Sequence, residues 1–331
     1  MMTKRVFLSK SASLGLGLLP VVSSALKSNA QEADYPAGPV KIIVAQAAGG
    51  SLDVLLRVSA EHLSRTWGKQ VVVLNMPAGG VGVIAARAAA AAPPDGYTLF
   101  MAGKSIFTIL PEIQANLPFN VDDFVPVALT GEQPFGIVVS PSLGVKSLPE
   151  LIAFSKKQPG GLNCAVGARN SSAHLTAELL RKRSGANLTF VPYPGTAQSL
   201  NDVISGRIPV LIQIIPGMAG AIASGQVKLL SITSPERWRT FPKVPTTSEA
   251  VPGFVVAGWT VLVAPRVTPA AIVQKVNDDL RAVQARSEFR DRLESLGAET
   301  RPMLPQQLAE FIRSEREFWR PLVREIASQT Q

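Results

Sequence analysis

Little in this chain is built for bond chemistry. It has one cysteine, Cys164, and two histidines, His62 and His174. A single thiol excludes an intrachain disulfide, and its place in the apolar run 163–166 predicts buried filler, not a nucleophile or ligand. With no Cys-x-x-Cys, no His-x-x-x-His and no Gly-x-Ser-x-Gly elbow, hydrolase and metalloenzyme readings lose their parts. No metal and no cofactor are expected. Aromatic residues make up only 6% against 46% hydrophobic overall, so the cores should be aliphatic. A polybasic run is missing too, which argues against a nucleic-acid partner.

Only one apolar run is long, 12–26, and Pro20 breaks it. It falls short of the roughly 20 residues that a spanning helix needs. Lys4, Arg5 and Lys10 precede it and Ser28-Asn29-Ala30 follow, which is the form of a secretory signal with cleavage expected after Ala30. Residues 3–8 also resemble a twin-arginine signal with Lys4 at the first arginine, so both export routes stay open. Losing residues 1–30 removes Lys4, Arg5, Lys10 and Lys27 and takes the formal charge from +9 to +5. The expected protein is exported from the cytoplasm.

The remaining length exceeds one compact core, so two lobes are expected. Short apolar runs alternate with helical patterns: strands over 40–45, 71–75 and 97–102 with helices over 53–67 and 83–92, the rhythm of parallel α/β architecture. A second series starts after Pro134, with strands at 136–140, 162–166, 188–193, 209–212 and 227–233 and helices at 148–157, 172–184, 197–205 and 217–223. A strand at 259–264 and helices at 269–285, 287–296 and 305–328 close the chain. Ile272, Val276, Leu280 and Val283 form an apolar stripe that needs a sheet to cover. The expected fold is α/β in two lobes, two similar domains joined by two hinge strands. Lobe 1 would hold 31–134 plus 256–331, and lobe 2 would hold 135–255.

One stretch points to a task. At 40–57 an apolar strand meets Gly49-Gly50-Ser51 and a helix follows at once, so unpaired amides and the positive end of the helix dipole converge at the strand's end. Such a bend is either a socket for a small anion or a strand-to-helix turn that needs only the flexibility of glycine. Asp53 caps the helix or touches a ligand; beside a bound carboxylate it would repel, so organising the turn suits it better. Residues 80–85 fit the dinucleotide pattern Gly-x-Gly-x-x-Ala, but Pro77 intervenes and no acid ends the following strand, so a glycine turn is the better reading.

The order of motifs now resembles a known family. Ala48-Gly49-Gly50-Ser51-Leu52-Asp53 is similar to the Pro-Gly-Gly-Ser-x-Asp turn of the substrate-binding proteins of tripartite tricarboxylate transporters, the Bug family. Further likeness lies in Asn75-Met76-Pro77-Ala78-Gly79-Gly80, in 92–99, in Val191-Pro192-Tyr193 with Gly195, in Lys243-Val244-Pro245-Thr246 with Glu249-Ala250, and in 259–265. The resemblance implies a receptor in the periplasm with the two-lobed α/β periplasmic-binding-protein fold of the type II, Venus-flytrap kind, which captures a small organic acid and delivers it to membrane permease subunits, without catalysis and as a monomer. It implies a first-lobe site of Gly49, Gly50, Ser51 and Asp53 with Gly103, Lys104 and Ser105. The second lobe would add Gly167, Arg169, Asn170, Ser171, Ser172, Tyr193, Gly195, Thr196, Ala197 and Gln213.

Individual residues leave two readings open. Lys104 and Arg169 face either solvent or the cleft. Ser171 or Ser172 caps its helix, His174 makes a structural hydrogen bond or touches ligand, and His62 is expected on the surface. Gln213 stands where the family often has an acid, which disfavours an amino-acid ligand. An exported sensor signalling to a membrane partner is the alternative function, and an enzyme using Asp53, Lys104 or Asp202 is a weaker one.

Overall fold

The structure is a computed structural model and describes residues 35–77, 82–114 and 116–328. The expected signal, its cleavage point at Ala30 and the glycine turn residues Ala78, Gly79, Gly80 and Val81 lie outside the described residues.

Strand β1 (Val40–Val44) is apolar except for exposed Lys41, as a strand covered on both faces must be. Helix α1 (Ser51–Trp67) carries the chain over to β2 (Val71–Asn75), and it stops where Gly68 takes the left-handed φ of 60°. Helix α2 (Val83–Ala90) then leads to β3 (Thr98–Gly103), and β2 and β3 flank β1 in parallel. Two short helices follow, α3 (Lys104–Thr108) and α4 (Leu110–Ile113). So the expected loop after the third strand is already helical from Lys104.

Strand β4 (Phe124–Val139), sixteen residues long, joins the two halves. After it come α5 (Leu148–Lys156), β5 (Leu162–Val166), α6 (Ser172–Ser184), β6 (Leu188–Pro192), α7 (Thr196–Ile204), β7 (Val210–Ile214), α8 (Ala219–Ala223) and β8 (Lys228–Ile232). Helix α9 (Thr247–Ala250), β9 (Ala257–Pro265), α10 (Ala270–Gln284), α11 (Ser287–Ser295) and α12 (Pro305–Ser328) complete the chain. The strand path is β2-β1-β3-β9-β4-β7-β5-β6, with β8 also on β4.

From Phe124 to Pro134, β4 pairs antiparallel with β9; from Phe135 to Val139 it pairs with β7. The sequence reading placed no strand at 124–134, where Pro126, Gly131 and Pro134 interrupt any alternation. Register shifts between Pro126 and Ala128 and between Leu129 and Gly131 accommodate these residues as bulges. Carbonyls displaced there find side-chain donors instead: Asn277 Nδ2 bonds Val127 O at 2.7 Å and Gln284 Nε2 bonds Leu129 O at 2.7 Å. The predicted stripe of α10, including Ile272, Val276, Leu280 and Val283, is buried over this part of β4.

The chain returns along β4 itself. Thr233 N–H donates to Phe135 O, Val256 N–H donates to Thr233 O, and Thr233 Oγ1 accepts from Phe135 N–H. One core gathers Phe100, Phe124, Trp259 and Leu308 on the first sheet, and another gathers Phe135, Cys164, Leu175 and Ile212 on the second. Helix α12 serves both, with Leu308 in the first core and Trp319, Val323 and Ile326 in the second. Pro321 interrupts that helix near its middle and removes one backbone hydrogen bond.

Cys164 is fully buried, and burial pushes its thiol well up. His62 corrects an expectation: it is 4% exposed and packs edge-on against Phe289 of α11. A helix over the first helix hides a face that looks solvent-facing in the sequence. Among the described residues no helix is long and apolar enough to cross a membrane.

Candidate functional site

The turn after β1 is held from inside. Asp53 is buried, and its carboxylate accepts from Gly49 N–H at 2.8 Å, from Asn75 Nδ2 at 2.8 Å and from Arg57 Nε at 2.9 Å. Burial pushes its carboxyl up, but these three bonds outweigh that and hold it below the ordinary range. Asp53 therefore organises the turn. Gly50 N–H is taken by Ala47 O at 3.1 Å, so the amides of Gly49 and Gly50 are both used within the bend. Leu52 N–H, in the first turn of α1, donates to Gln46 Oε1 at 2.7 Å. Ser51 is 5% exposed and its Oγ has no hydrogen-bond partner among the described residues. A buried orphan hydroxyl is costly, so it marks a place where a partner is missing.

The second loop of the first half adjoins this turn. A methyl group on Gly103 would lie 3.6 Å from Leu52 Cδ2. Ser105, two residues on, reaches the other half: its Oγ lies 2.8 Å from Ser172 Oγ and accepts Ser172 N–H at 3.2 Å. Lys104, between them, points elsewhere. Its ammonium is buried against Glu315 at 2.6 Å, donates to Ala257 O at 3.0 Å and lies 4.4 Å from the Trp319 ring centre. Burial pushes this ammonium's pKa down, against the pull of Glu315 and Glu132. So Lys104 faces neither solvent nor a free anion site. It shares with Glu132, Glu315, Trp259 and Trp319 the lining of a cavity of about 270 Å³ that Val255, Val256 and Ala257 also border.

In the second half, Gly167 is a close approach: a methyl there would fall 2.7 Å from Ser171 Oγ and 3.5 Å from Gln213 Nε2. Gly167, Ser171 and Gln213 thus stand together. Gln213 Oε1 accepts its neighbour Ile214 N–H at 3.0 Å. Ser171 is the cap of α6, accepting His174 N–H at 3.3 Å. Asn170 adopts a left-handed φ of 63° and donates its N–H to His174 Nδ1 at 3.2 Å. That bond leaves the imidazole proton on Nε2, towards Glu178. His174 is buried, and burial with the Arg169 and Arg181 charges holds its pKa at about 4. Arg169 is exposed and lines a separate cavity of about 200 Å³ with His174, Glu178, Phe190 and Pro192.

The remaining expected residues cluster at the start of α7. Thr196 packs on Gly217, where a methyl would come within 2.7 Å of Thr196 Cγ2. Gly195 and Ala197 beside it are exposed. Tyr193 spends its hydroxyl on Asp202 at 2.5 Å, and Asp202 is also paired with Arg207. Sequence reasoning missed two contributors to the first turn, Gln46 and Asn75. Asn75 belongs to a recognised motif, and its Nδ2 also bonds Gln46 O at 3.0 Å, but only the parallel pairing of β1 and β2 brings the two together.

Two α/β lobes linked through β4, with Ser105 of one against Ser172 of the other, define a periplasmic-binding-protein fold. The family model "Tripartite tricarboxylate transporter family receptor" matches residues 55–328, and the chain belongs to that family. Solved relatives agree with the fold. One is Rpa4515 of R. palustris with adipate, 31% identical, TM-score 0.84, covering 89% of this chain and 98% of that one. Another is MatC from Rhodopseudomonas palustris with bound malate, 32% identical, TM-score 0.79, covering 87% and 100%. The periplasmic binding protein BugD is 30% identical, with TM-score 0.80 and coverage of 89% and 99%.

Proposed function

We propose that this protein is an extracytoplasmic receptor that captures a small carboxylate between its lobes and delivers it to a tripartite tricarboxylate-type membrane transporter. Ser105 touching Ser172 across the halves is the observation that carries this reading, because it puts the first-turn residues of two helices from different lobes at one place. The adipate and malate bound to relatives support the ligand class, and the family supports the transporter partner.

The lobes are 31–134 with 256–331, and 135–255, and closure works by differential affinity: a ligand that bridges both lobes favours the closed arrangement. The first lobe presents Ser51, the Gly49–Gly50 bend and Ser105. The second presents Ser171, Ser172, Gln213 and the α7 start at Thr196. The Lys104 ammonium is committed to Glu315, so neutral hydroxyl and amide donors do the binding on this side.

A thermal-shift screen of mono- and dicarboxylates tests the proposal, since a ligand that binds only the folded state raises the melting point. Stabilisation by at least one small carboxylate is expected, followed by saturable binding in calorimetry. Failure of every carboxylate in the screen would refute the reading.

A further inference from the structure

We infer that Gln46 is the specificity-determining donor of the first lobe: its side-chain amide nitrogen, and not the amides of Gly49 and Gly50, meets the ligand's carboxylate. This rests on the receptor reading above and narrows it to a ligand end that only accepts hydrogen bonds.

Chemistry fixes the orientation of the Gln46 amide. Leu52 N–H can only donate, so the atom 2.7 Å from it must be the oxygen Oε1. The nitrogen therefore faces away from the helix. No group among the described residues accepts from Nε2, and the side chain is only half-buried. Two hydrogens are thus left on offer beside the turn.

The backbone has been shaped around this side chain. A methyl on Gly50 would fall 2.4 Å from Gln46 Cδ and Oε1, so glycine at 50 leaves the space that Gln46 fills. Asn75 Nδ2 donates to the backbone carbonyl of Gln46 at 3.0 Å, which holds the main chain that carries this side chain. With Gly49 N–H on Asp53, Gly50 N–H on Ala47 and Leu52 N–H on Gln46, three amides of the bend are satisfied before any ligand arrives. The polarity they would have offered passes outward through the Gln46 amide. Ser51 Oγ, buried and without a partner among the described residues, is an independent sign that the turn lacks an outside partner. A carboxylate or carboxamide oxygen suits such a donor, whereas an ammonium group would face hydrogens.

Gln46→Glu tests this with little change of shape. The glutamate keeps an oxygen for Leu52 N–H but turns the donor into a charged acceptor. Calorimetry with adipate and malate is expected to show affinity for whichever one binds the native protein reduced about 10- to 100-fold, the range of one charge-assisted hydrogen bond. The unliganded melting temperature should stay close to that of the native protein. Gln46→Met, which fills the same space without an amide, serves as the second variant and should also bind less tightly. Native-like affinity in Gln46→Glu would mean that Gln46 only caps the helix; the inference then fails while the receptor reading stands. If the native protein binds neither adipate, malate nor any other carboxylate of the screen, both fail together.

Discussion

Ser105 Oγ accepts the backbone N–H of Ser172 at 3.2 Å, so a side chain from the first turn of α3 in one lobe completes the first turn of α6 in the other. Helix starts have amides without intrahelical partners, and here one of them is satisfied across the lobe boundary. A contact of this kind ties local helix stability to the relative position of the lobes.

Ser105→Ala removes that acceptor. Loss of a cap typically costs about 1 kcal/mol. Unfolding experiments are expected to show a drop of this size, and calorimetry a weaker affinity for a carboxylate that stabilises the native protein. Unchanged affinity would take the Ser105–Ser172 pair out of the binding site.

Ser51→Ala should separate binding from stability. The Ser51 hydroxyl is buried without a partner among the described residues, so its removal relieves a desolvation cost of about 1–3 kcal/mol less whatever packing is lost. Melting temperature without ligand is expected to hold or rise, while carboxylate affinity falls. A marked loss of stability would show that the hydroxyl has a structural partner.

Buried Lys104 pairs at 2.6 Å with the partly exposed Glu315, which also accepts Trp259 Nε1–H at 2.9 Å. Lys104→Met removes the cation from a glutamate that keeps solvent contact and the Trp259 bond, and is expected to destabilise the fold by about 1.5–3 kcal/mol. Adding Glu315→Gln should recover part of that loss. A double-mutant cycle with no coupling would argue against the pair.

His174 makes stability depend on pH. Its folded pKa is held at about 4, against 6.5 for the free side chain. Between those values the unfolded chain takes up a proton that the folded chain does not, so stability falls as pH drops through this window. The loss is on the order of 3 kcal/mol, and His174→Gln is expected to flatten it. Parallel pH profiles of native protein and variant would count against the buried neutral imidazole.

Local pattern made much of this molecule legible. The alternation of apolar runs and helical stripes marked β1, α1, β2 and most later elements, because burial on one or two faces imposes a period that survives in sequence. The first half of β4 left no such trace: its bulges at Pro126–Ala128 and Leu129–Gly131 break the period, and its carbonyls are satisfied by Asn277 and Gln284 from far along the chain.

The site divides in the same way. By itself the sequence marked Gly49, Gly50 and Ser51 as a turn opening a helix, since glycine and a following helix start need only neighbouring residues. Tertiary structure alone decided that Gln46 lies over Gly50, that Lys104 turns back to Glu315, and that Ser105 meets Ser172. These partners are 4, 211 and 67 positions apart, respectively. Side-chain direction on a short helix depends on what packs behind it, and residue order alone does not say which neighbour that is.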